Sequence, residues 1–268
     1  MTSTKDSWSA TAYNTNASFV YSTEFSTPVL KLLAPQLGER IIDFGCGTGE
    51  LSIQISNLVG KDGVVVGVDS SQSMISQASA NGLKHAFVAD VQSLEFPSDF
   101  DEGLRDRYDA VFTNAALHWC KRDPSGVIKN AKSILTPGGR FVGEMGGFLN
   151  CVGVRSALHT VMKQHGYDPE PLDPWYFPSP GQYKSLLEAE GFTVQEIALY
   201  PRMTPLPGTL IDWLQTFCRK SMLAGVEDDE AEEILREVQQ KCEVDCRDHE
   251  GNWYIMYVRL RFIAIVNV

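Results

Sequence analysis

The chain has 268 residues, 43% of them hydrophobic, which is enough apolar material for one large domain with a substantial core. Its formal net charge of −11 argues against a nucleic-acid partner, because binding to phosphate groups depends on clustered lysines and arginines. Residues 1–18 show no secretion signal, no stretch approaches the roughly 20 apolar residues that cross a bilayer, and the six scattered cysteines form no disulfide framework, so we expect a reduced, cytoplasmic protein away from membranes.

The N-terminal segment, residues 1–24, is rich in serine, threonine and asparagine, but it also contains aromatic residues such as Tyr21. The polar composition is typical of a disordered leader. The aromatic residues favour a second interpretation, in which the segment becomes ordered over a bound ligand. A predicted helix follows at residues 27–37.

The first predicted strand, residues 40–44, runs into a loop with alternating glycines, and residues 50–58 then have the apolar spacing of a helix. The glycines are Gly45, Gly47 and Gly49. Alternating glycines let the backbone turn sharply and let a ligand lie against it. A tight turn without any ligand is the alternative.

The charges around this loop narrow the kind of ligand. The dinucleotide fingerprint would need a glycine at position 50, where this chain has Glu50. Asp43 stands at the other end of the loop, and both acids would repel a phosphate group. The loop therefore favours a positively charged or amino-bearing ligand.

The next two predicted strands, 64–68 and 85–89, also end in acids, Asp69 and Asp90. A carboxylate at the end of the second strand is well placed to accept two ribose hydroxyls, although such an aspartate can also cap a helix. Capping alone explains three successive strand-end aspartates poorly. The neighbouring candidate contacts are Ser70, Met74 and Val91.

A fourth strand at 108–114 ends in Asn114, and a turn at 135–140 precedes a fifth strand at 139–145. Helices are predicted between the strands, as in a doubly wound, mostly parallel α/β sheet. A sixth strand at 192–199 and a seventh at 252–268 complete the predicted seven-stranded sheet. Helical insertions at about 148–178 and 201–251 are expected to form a lid and substrate wall.

The ordered motifs resemble those of class I S-adenosylmethionine-dependent methyltransferases. The matching segments are Asp43-Phe-Gly-Cys-Gly-Thr-Gly, Val-Gly-Val-Asp69, Ala-Asp90, Tyr108-Asp-Ala-Val-Phe-Thr-Asn114 and Leu135-Thr-Pro-Gly-Gly-Arg140. The resemblance implies a Rossmann-like methyltransferase fold and S-adenosylmethionine as the cofactor, which carries a sulfonium and an ammonium but no phosphate. It also implies a binding core at 25–146, a covering segment at 1–24, and a C-terminal half at 147–268 that carries the insertions.

A narrower resemblance is to the trans-aconitate methyltransferase group of small-molecule enzymes. It depends on Asp69-Ser-Ser-Gln-Ser-Met74, Asn114-Ala-Ala-Leu-His-Trp119 and Ile211-Asp-Trp213. This group implies a small-molecule acceptor and O-methylation of a carboxylate or hydroxyl. The Asn-Pro-Pro-Tyr clamp of nitrogen methylases is absent at the end of the fourth strand, and no cysteine follows a proline, as cytosine C5 methylation would require.

His118 is the titratable side chain beside the end of the fourth strand. It can orient the acceptor, take its proton as a base, or have a purely structural role. Further candidates for the acceptor pocket are Trp119, His159, Trp175, Tyr176, Arg202 and Trp213. The spacing of Cys242, Cys246 and His249 lacks a fourth ligand, so no metal site is expected.

Three functions remain open at this stage. The first is methylation of a small molecule by a monomer or homodimer, the second is methylation of a protein or peptide, and the third is a catalytically silent relative that keeps the cofactor pocket. The intact set of strand-end acids and loop glycines argues against the third.

Overall fold

The computed structural model describes residues 23–267, in which seven strands form one sheet in the order β3-β2-β1-β4-β5-β7-β6. The strands are β1 (Arg40–Phe44), β2 (Val64–Asp69), β3 (His85–Val88), β4 (Tyr108–Asn114), β5 (Leu135–Gly146), β6 (Phe192–Pro205) and β7 (Tyr254–Val266). Strand β7 pairs antiparallel with both β5 and β6, and the other strands run in one direction. The predicted doubly wound, mostly parallel sheet is confirmed.

Helices alternate with the strands and also form the later connections. They are α1 (Thr23–Leu33), α2 (Glu50–Val59), α3 (Gln72–Ala80), α4 (Pro124–Ile134), α5 (Val154–Gln164), α6 (Pro169–Leu172), α7 (Pro180–Ala189), α8 (Leu210–Phe217) and α9 (Asp228–Cys246). Short 3-10 helices lie at Val91–Ser93, Glu102–Leu104 and Leu117–Trp119. No helix within residues 23–267 combines the length and apolar character needed to cross a membrane.

The sheet is covered on both faces because its central strands are apolar on both sides. Ile41 and Ile42 are adjacent in β1, so their side chains point to opposite faces, and both are fully buried. Ile41 belongs to the core beneath α1, α2 and α3, whereas Ile42 belongs to the core beneath α4 and α7. Ligands of open α/β sheets bind outside the carboxyl ends of such strands, which is where the site lies.

Several element boundaries differ from the sequence-based predictions. Helix α1 was expected at 27–37 but ends at Leu33, because Ala34 has a left-handed φ of 48° and the following Pro35 disfavours helical backbone before it. Strand β6 extends to Pro205, so Arg202 lies on a strand and the connection to β7 begins only at residue 206. The turn expected at 135–140 is a break in register at the start of β5.

The two late connections share a third apolar core. Helices α5, α8 and α9 bury residues such as Leu158, Leu214 and Ile234 against the start of β7 and against Trp253, which immediately precedes it. The sequence predicts helices at 210–223 and 228–242; the first, α8, ends earlier, at Phe217, and the second, α9, continues to Cys246. The insertions thus pack together beside the carboxyl edge of the sheet, and their closure as a lid stays a prediction. Most of the proposed covering segment, residues 1–24, and with it Tyr21, lies outside the described residues.

Candidate active site

A cavity of about 310 Å³ lies at the carboxyl edge of the sheet, beside the ends of β1 to β4. This volume is at the lower end of the range for small-molecule sites, roughly 300–1,000 Å³. It is lined by these predicted cofactor contacts: Asp43, Gly45, Gly47, Asp69, Ser70, Met74, Asp90, Val91 and Asn114. Gly49 does not line it but precedes α2 with a φ of 87°, so its role is in the turn. We call this space the cofactor cavity.

The glycine loop after β1 approaches the loop after β4 very closely. A Cβ atom at Gly45, which has a φ of 80°, would lie only 2.2 Å from the Cβ of Ala116. No side chain can be accommodated there without displacing the backbone of one loop. Glycine at this position therefore allows the loops after β1 and β4 to approach each other this closely. Both loops line the cofactor cavity.

Asp43 is the most deeply buried acid of the cavity. Its Oδ2 accepts a hydrogen bond of 2.6 Å from the Ser52 hydroxyl at the start of α2. Burial, reinforced by the nearby negative charge of Asp69, raises the pKa of Asp43 to about 7, against the opposing effect of the Ser52 hydrogen bond. A positively charged ligand group in the cavity would stabilise the ionised form of this carboxyl group.

The carboxylate of Asp69 is held by backbone amides on both sides. Oδ2 accepts the N–H of Gly47 at 3.0 Å, and Oδ1 accepts the N–H of Ser71 at 2.9 Å. These bonds tie the end of β2 to the glycine loop and to the start of α3, whose N-cap is Ser71. A carboxylate has about four acceptor positions, so this arrangement is compatible with additional ligand hydroxyls.

Asp90 has partners that the sequence did not reveal. Its Oδ1 accepts from the backbone N–H and the side-chain amide of Gln92, and its Oδ2 accepts from Arg122 at 2.6 Å. Burial opposes ionisation, but these hydrogen bonds outweigh it and hold the pKa of Asp90 below its ordinary value. Gln92 and Arg122 both line the cofactor cavity, and no spacing rule links Arg122 to a residue 32 positions earlier.

A second, smaller cavity of about 30 Å³ adjoins the first, and Ala115 and Trp119 line both. We call it the acceptor cavity. The predicted residues His118, Trp119, Trp175 and Trp213 line it. Besides Ala115, the sequence analysis missed six further lining residues, which are Asn150, Cys151, Phe177, Phe217, Tyr257 and Arg259. Ala115 is also a non-glycine residue with a left-handed φ of 56°.

His118 is buried in this region as a neutral imidazole. Its Nδ1 accepts the backbone N–H of Gly146 at 3.3 Å. Burial, reinforced by the positive charge of Arg259, holds the pKa of His118 well below its ordinary value. With Nδ1 accepting, the proton of the neutral ring is assigned to Nε2, which has no hydrogen-bond partner among the side chains that the structure describes, those of residues 25–267. His118 is therefore arranged as a hydrogen-bond donor.

Three predicted acceptor residues do not line either cavity. His159 donates or accepts at 2.8 Å with the buried carboxylate of Asp173, which also binds Arg155, so it belongs to an ion-pair cluster behind the aromatic residues. Tyr176 packs into the core beneath α4 and α7, and its backbone N–H binds the carbonyl of His118. Arg202 stacks on the ring of Phe25, 3.9 Å from its centre.

Arginines outnumber carboxylates among the described residues around the acceptor cavity. Glu144 of β5 accepts two hydrogen bonds from Arg261, at 2.8 and 2.6 Å, and its other oxygen lies 3.9 Å from Arg202. Arg259 precedes Arg261 by two residues on β7, so both side chains are on one face of the strand. Arg259 stacks on the Tyr257 ring at 4.4 Å instead of joining an ion pair.

The two cavities thus differ in their charge. Among the residues that the structure describes, three aspartates and one arginine line the cofactor cavity, and that arginine, Arg122, is neutralised by Asp90. This excess of negative charge disfavours a pyrophosphate and fits an adenosine that carries a sulfonium and an ammonium. The adjoining cavity is aromatic and bears the positive charge of Arg259.

Comparisons with known proteins agree with this chemistry. The profile of a family described as a methyltransferase domain matches residues 36–162. The uncharacterized methyltransferase C70.08c of Schizosaccharomyces pombe is 34% identical over 268 residues, which cover 97% of this chain and 98% of that protein. The match to C70.08c therefore extends beyond the sheet and through the insertions.

Solved structures show the same fold. The YcgJ protein of Bacillus subtilis has a TM-score of 0.61 at 15% identity, covering 90% of this chain and 97% of that one. Phosphoethanolamine N-methyltransferase 2 of Haemonchus contortus, solved with phosphomonomethylethanolamine and S-adenosylhomocysteine, has a TM-score of 0.58 at 16% identity, covering 97% of this chain and 57% of that one. Together with the near full-length relative and the acid-lined cavity, these findings show that the chain belongs to the class I S-adenosylmethionine-dependent methyltransferases.

Proposed function

We propose that this enzyme methylates an oxygen atom of a small molecule, either a carboxylate or a hydroxyl oxygen. The observation that carries the proposal is the acceptor cavity, which is small, walled by aromatic rings and joined to the cofactor cavity through Ala115 and Trp119. A cavity of this size suits one end of a small molecule better than a folded protein surface or a nucleic-acid strand. The expected location of the enzyme in the cytoplasm is part of the same proposal.

Residues of the cofactor cavity would hold S-adenosylmethionine in the following way. Asp69 would accept the ribose hydroxyls, Asp90 and Val91 would bind the adenine edge, and Asp43 with the glycine loop would face the charged amino acid end. When bound, S-adenosylmethionine would supply the methyl group to the acceptor oxygen, and its sulfur would keep the electron pair of the broken carbon–sulfur bond. Asp43 and Asp69 would counter the positive charge before transfer.

The side chains around the acceptor need only position it and exclude water. Orientation of two reactants can be worth roughly 7–11 kcal/mol. A carboxylate acceptor has no proton to lose, so it requires no base. His118 is neutral and presents an N–H, which is suited to orient an acceptor oxygen but not to remove a proton. The narrower resemblance to trans-aconitate methyltransferases agrees with such an acceptor and stays a prediction.

Transfer from methyl-labelled S-adenosylmethionine tests the proposal. The full chain is incubated with trans-aconitate, other carboxylic acids, phenols, amines and a peptide mixture, and the products are identified by mass spectrometry. We expect methyl esters or methyl ethers, and we expect Asp69→Ala to lose this activity while the exposed-site control Asp99→Asn retains it. Transfer only to amines or only to peptides would contradict O-methylation of a small molecule.

A further inference from the structure

We infer that the methyl acceptor carries a carboxylate group, which Arg259 binds in the acceptor cavity, and an apolar body, which lies against the aromatic rings toward the junction with the larger cofactor cavity. The inference rests on the proposed function, because it names the substrate class of the same site. The anchored carboxylate and the methylated oxygen need not belong to the same functional group. Four observations support this assignment.

The first observation is that Arg259 is buried without an anionic partner. Arg259 is only 4% exposed, and it lines the acceptor cavity. Among residues 25–267, whose side chains the structure describes, its guanidinium stacks on the ring of Tyr257 but makes no hydrogen bond and no ion pair. A buried charge that lacks a partner is costly, and buried arginines are normally paired. The guanidinium is therefore available to a ligand.

The second observation is the charge balance on the surrounding strands. Arg202, Arg259 and Arg261 lie close together, and Glu144 is the carboxylate that serves this group among the described residues. Arg261 occupies one oxygen of Glu144 with two hydrogen bonds, and Arg202 lies nearest the other. The positive charge on Arg202 and Arg259 is so poorly compensated that burial and Arg259 together lower the pKa of Arg202 to about 10. A bound carboxylate would offset one of the two positive charges that Glu144 leaves uncompensated.

The third observation is a second donor beside Arg259. The Nε2 of His118 has no partner among the described residues, and His118 lines the same cavity. The cavity of about 30 Å³ has room for roughly two water-sized groups. The two oxygens of one carboxylate match both this volume and the fork of an arginine, which binds a carboxylate through two parallel hydrogen bonds. An uncharged group of similar size would leave the arginine charge unpaired.

The fourth observation is the aromatic wall. Trp175 stacks on Phe177 at 5.8 Å with an angle of 15°, and Trp213 lies 4.9 Å from Phe217. Rings of this kind bind apolar bodies, and by themselves they would also suit a quaternary ammonium ion. Arg259 repels a cation, so it selects an acid over an amine. The two features together specify an apolar acid.

The test measures binding of matched probes by the fluorescence of the tryptophans in the cavity wall, with S-adenosylhomocysteine present. The probes are phenylacetate, trans-cinnamate and octanoate, each paired with its primary amide, together with phenethylamine. We expect at least one acid to bind about 10- to 100-fold more tightly than its amide, the range expected for hydrogen bonds to a charged group. Failure of every acid to bind, equal binding of acids and amides, or preference for the amine would overturn the inference.

Variants then assign the effect to Arg259. Arg259→Gln is expected to weaken binding of the best acid about 10- to 100-fold and that of its amide less than about twofold, whereas Arg259→Lys retains part of the preference. The control Arg236→Gln changes an exposed arginine of α9, and it should leave both affinities unchanged. Unaltered acid binding in Arg259→Gln would contradict the role of Arg259.

S-adenosylhomocysteine affinity is measured in every variant, and a folded Arg259→Gln should keep it. If Arg259→Gln does not fold, the acid-to-amide preference of the wild type decides alone. The inference and the proposed function also fail separately. Loss of acid selectivity with continued O-methylation would refute only the inference, whereas methyl transfer to nitrogen alone would refute the proposed function.

Discussion

The protonation of Asp43 links the stability of the cofactor-free enzyme to pH. Asp43 is 2% exposed, and burial raises its pKa from the ordinary value of 3.8 to about 7. The folded protein therefore keeps a proton on Asp43 at pH values where the unfolded chain has released it. Because the folded state binds more protons in this window, stability contributed by this group falls as the pH rises from about 4 to about 7.

The size of the effect follows from the two pKa values. Between pH 5.5 and pH 8, the free energy of unfolding should decrease by about 2 kcal/mol through Asp43 alone. Asp43→Asn removes the titration and keeps an oxygen that can accept from the Ser52 hydroxyl. The difference in stability between variant and wild type should therefore move by about 2 kcal/mol in favour of the variant across this pH range.

Urea unfolding of the cofactor-free protein at several pH values provides the measurement. Other titrating groups cancel in the comparison, because they are the same in both proteins. Asp99→Asn, which changes an exposed aspartate, serves as the matched control and should run parallel to the wild type. Parallel curves for wild type and Asp43→Asn between pH 5.5 and pH 8 would show that Asp43 ionises normally and would refute the reasoning.

Three further predictions concern the two cavities. Asp69→Ala should weaken S-adenosylmethionine binding in calorimetry by about 1–3 kcal/mol, the cost of hydrogen bonds to a charged group, and equal affinity would remove Asp69 from the ribose site. Asp90→Asn should weaken the cofactor several-fold and leave the melting temperature within a few degrees, whereas an unchanged affinity would show that Arg122 and Gln92 alone engage this side chain. His118→Gln should keep most activity on a carboxylate acceptor, since an amide N–H can replace Nε2–H. Base catalysis by His118 would instead lower turnover of the variant about 10²-fold and remove an acid limb from its pH–rate profile.

The parallel half of the fold was predictable because each element there has a local signal. Neighbouring residues are enough to recognise a short apolar strand that ends in an acid, or glycines that precede a helix. The prediction accordingly placed β1 at its observed bounds, Arg40–Phe44. Predicted element boundaries were wrong where something other than the spacing of apolar residues determines where the element ends. Pro35 ended α1 early, and β6 continued to Pro205 because its partner β7 extends equally far, which only the pairing reveals.

The cofactor cavity was more accessible to sequence reasoning than the acceptor cavity. Its residues follow strand ends, and parallel strands bring those ends together at one edge. The acceptor cavity instead assembles Phe177, Phe217 and Arg259 from two separate connections and a strand, so no spacing joins them. Arg202 was the arginine predicted from the sequence for the acceptor pocket, yet it lies beside Glu144. Arg202 and Arg259 have the same charge and lie on paired strands, so only the position of the Glu144 carboxylate in the structure distinguishes them.

The meeting point of the two cavities lies at the end of β4, where Ala115 lines both. Its left-handed φ of 56° is unfavourable for alanine, and its N–H binds the carbonyl of Glu144 at 2.7 Å. That bond ties the strained turn to β5, whose Glu144 side chain organises the arginines on the acceptor side. The same junction separates the acids that suit a cationic cofactor from the arginine that suits an anionic acceptor. Backbone strain at Ala115 thus coincides with the place where the cofactor and the proposed anionic acceptor would meet.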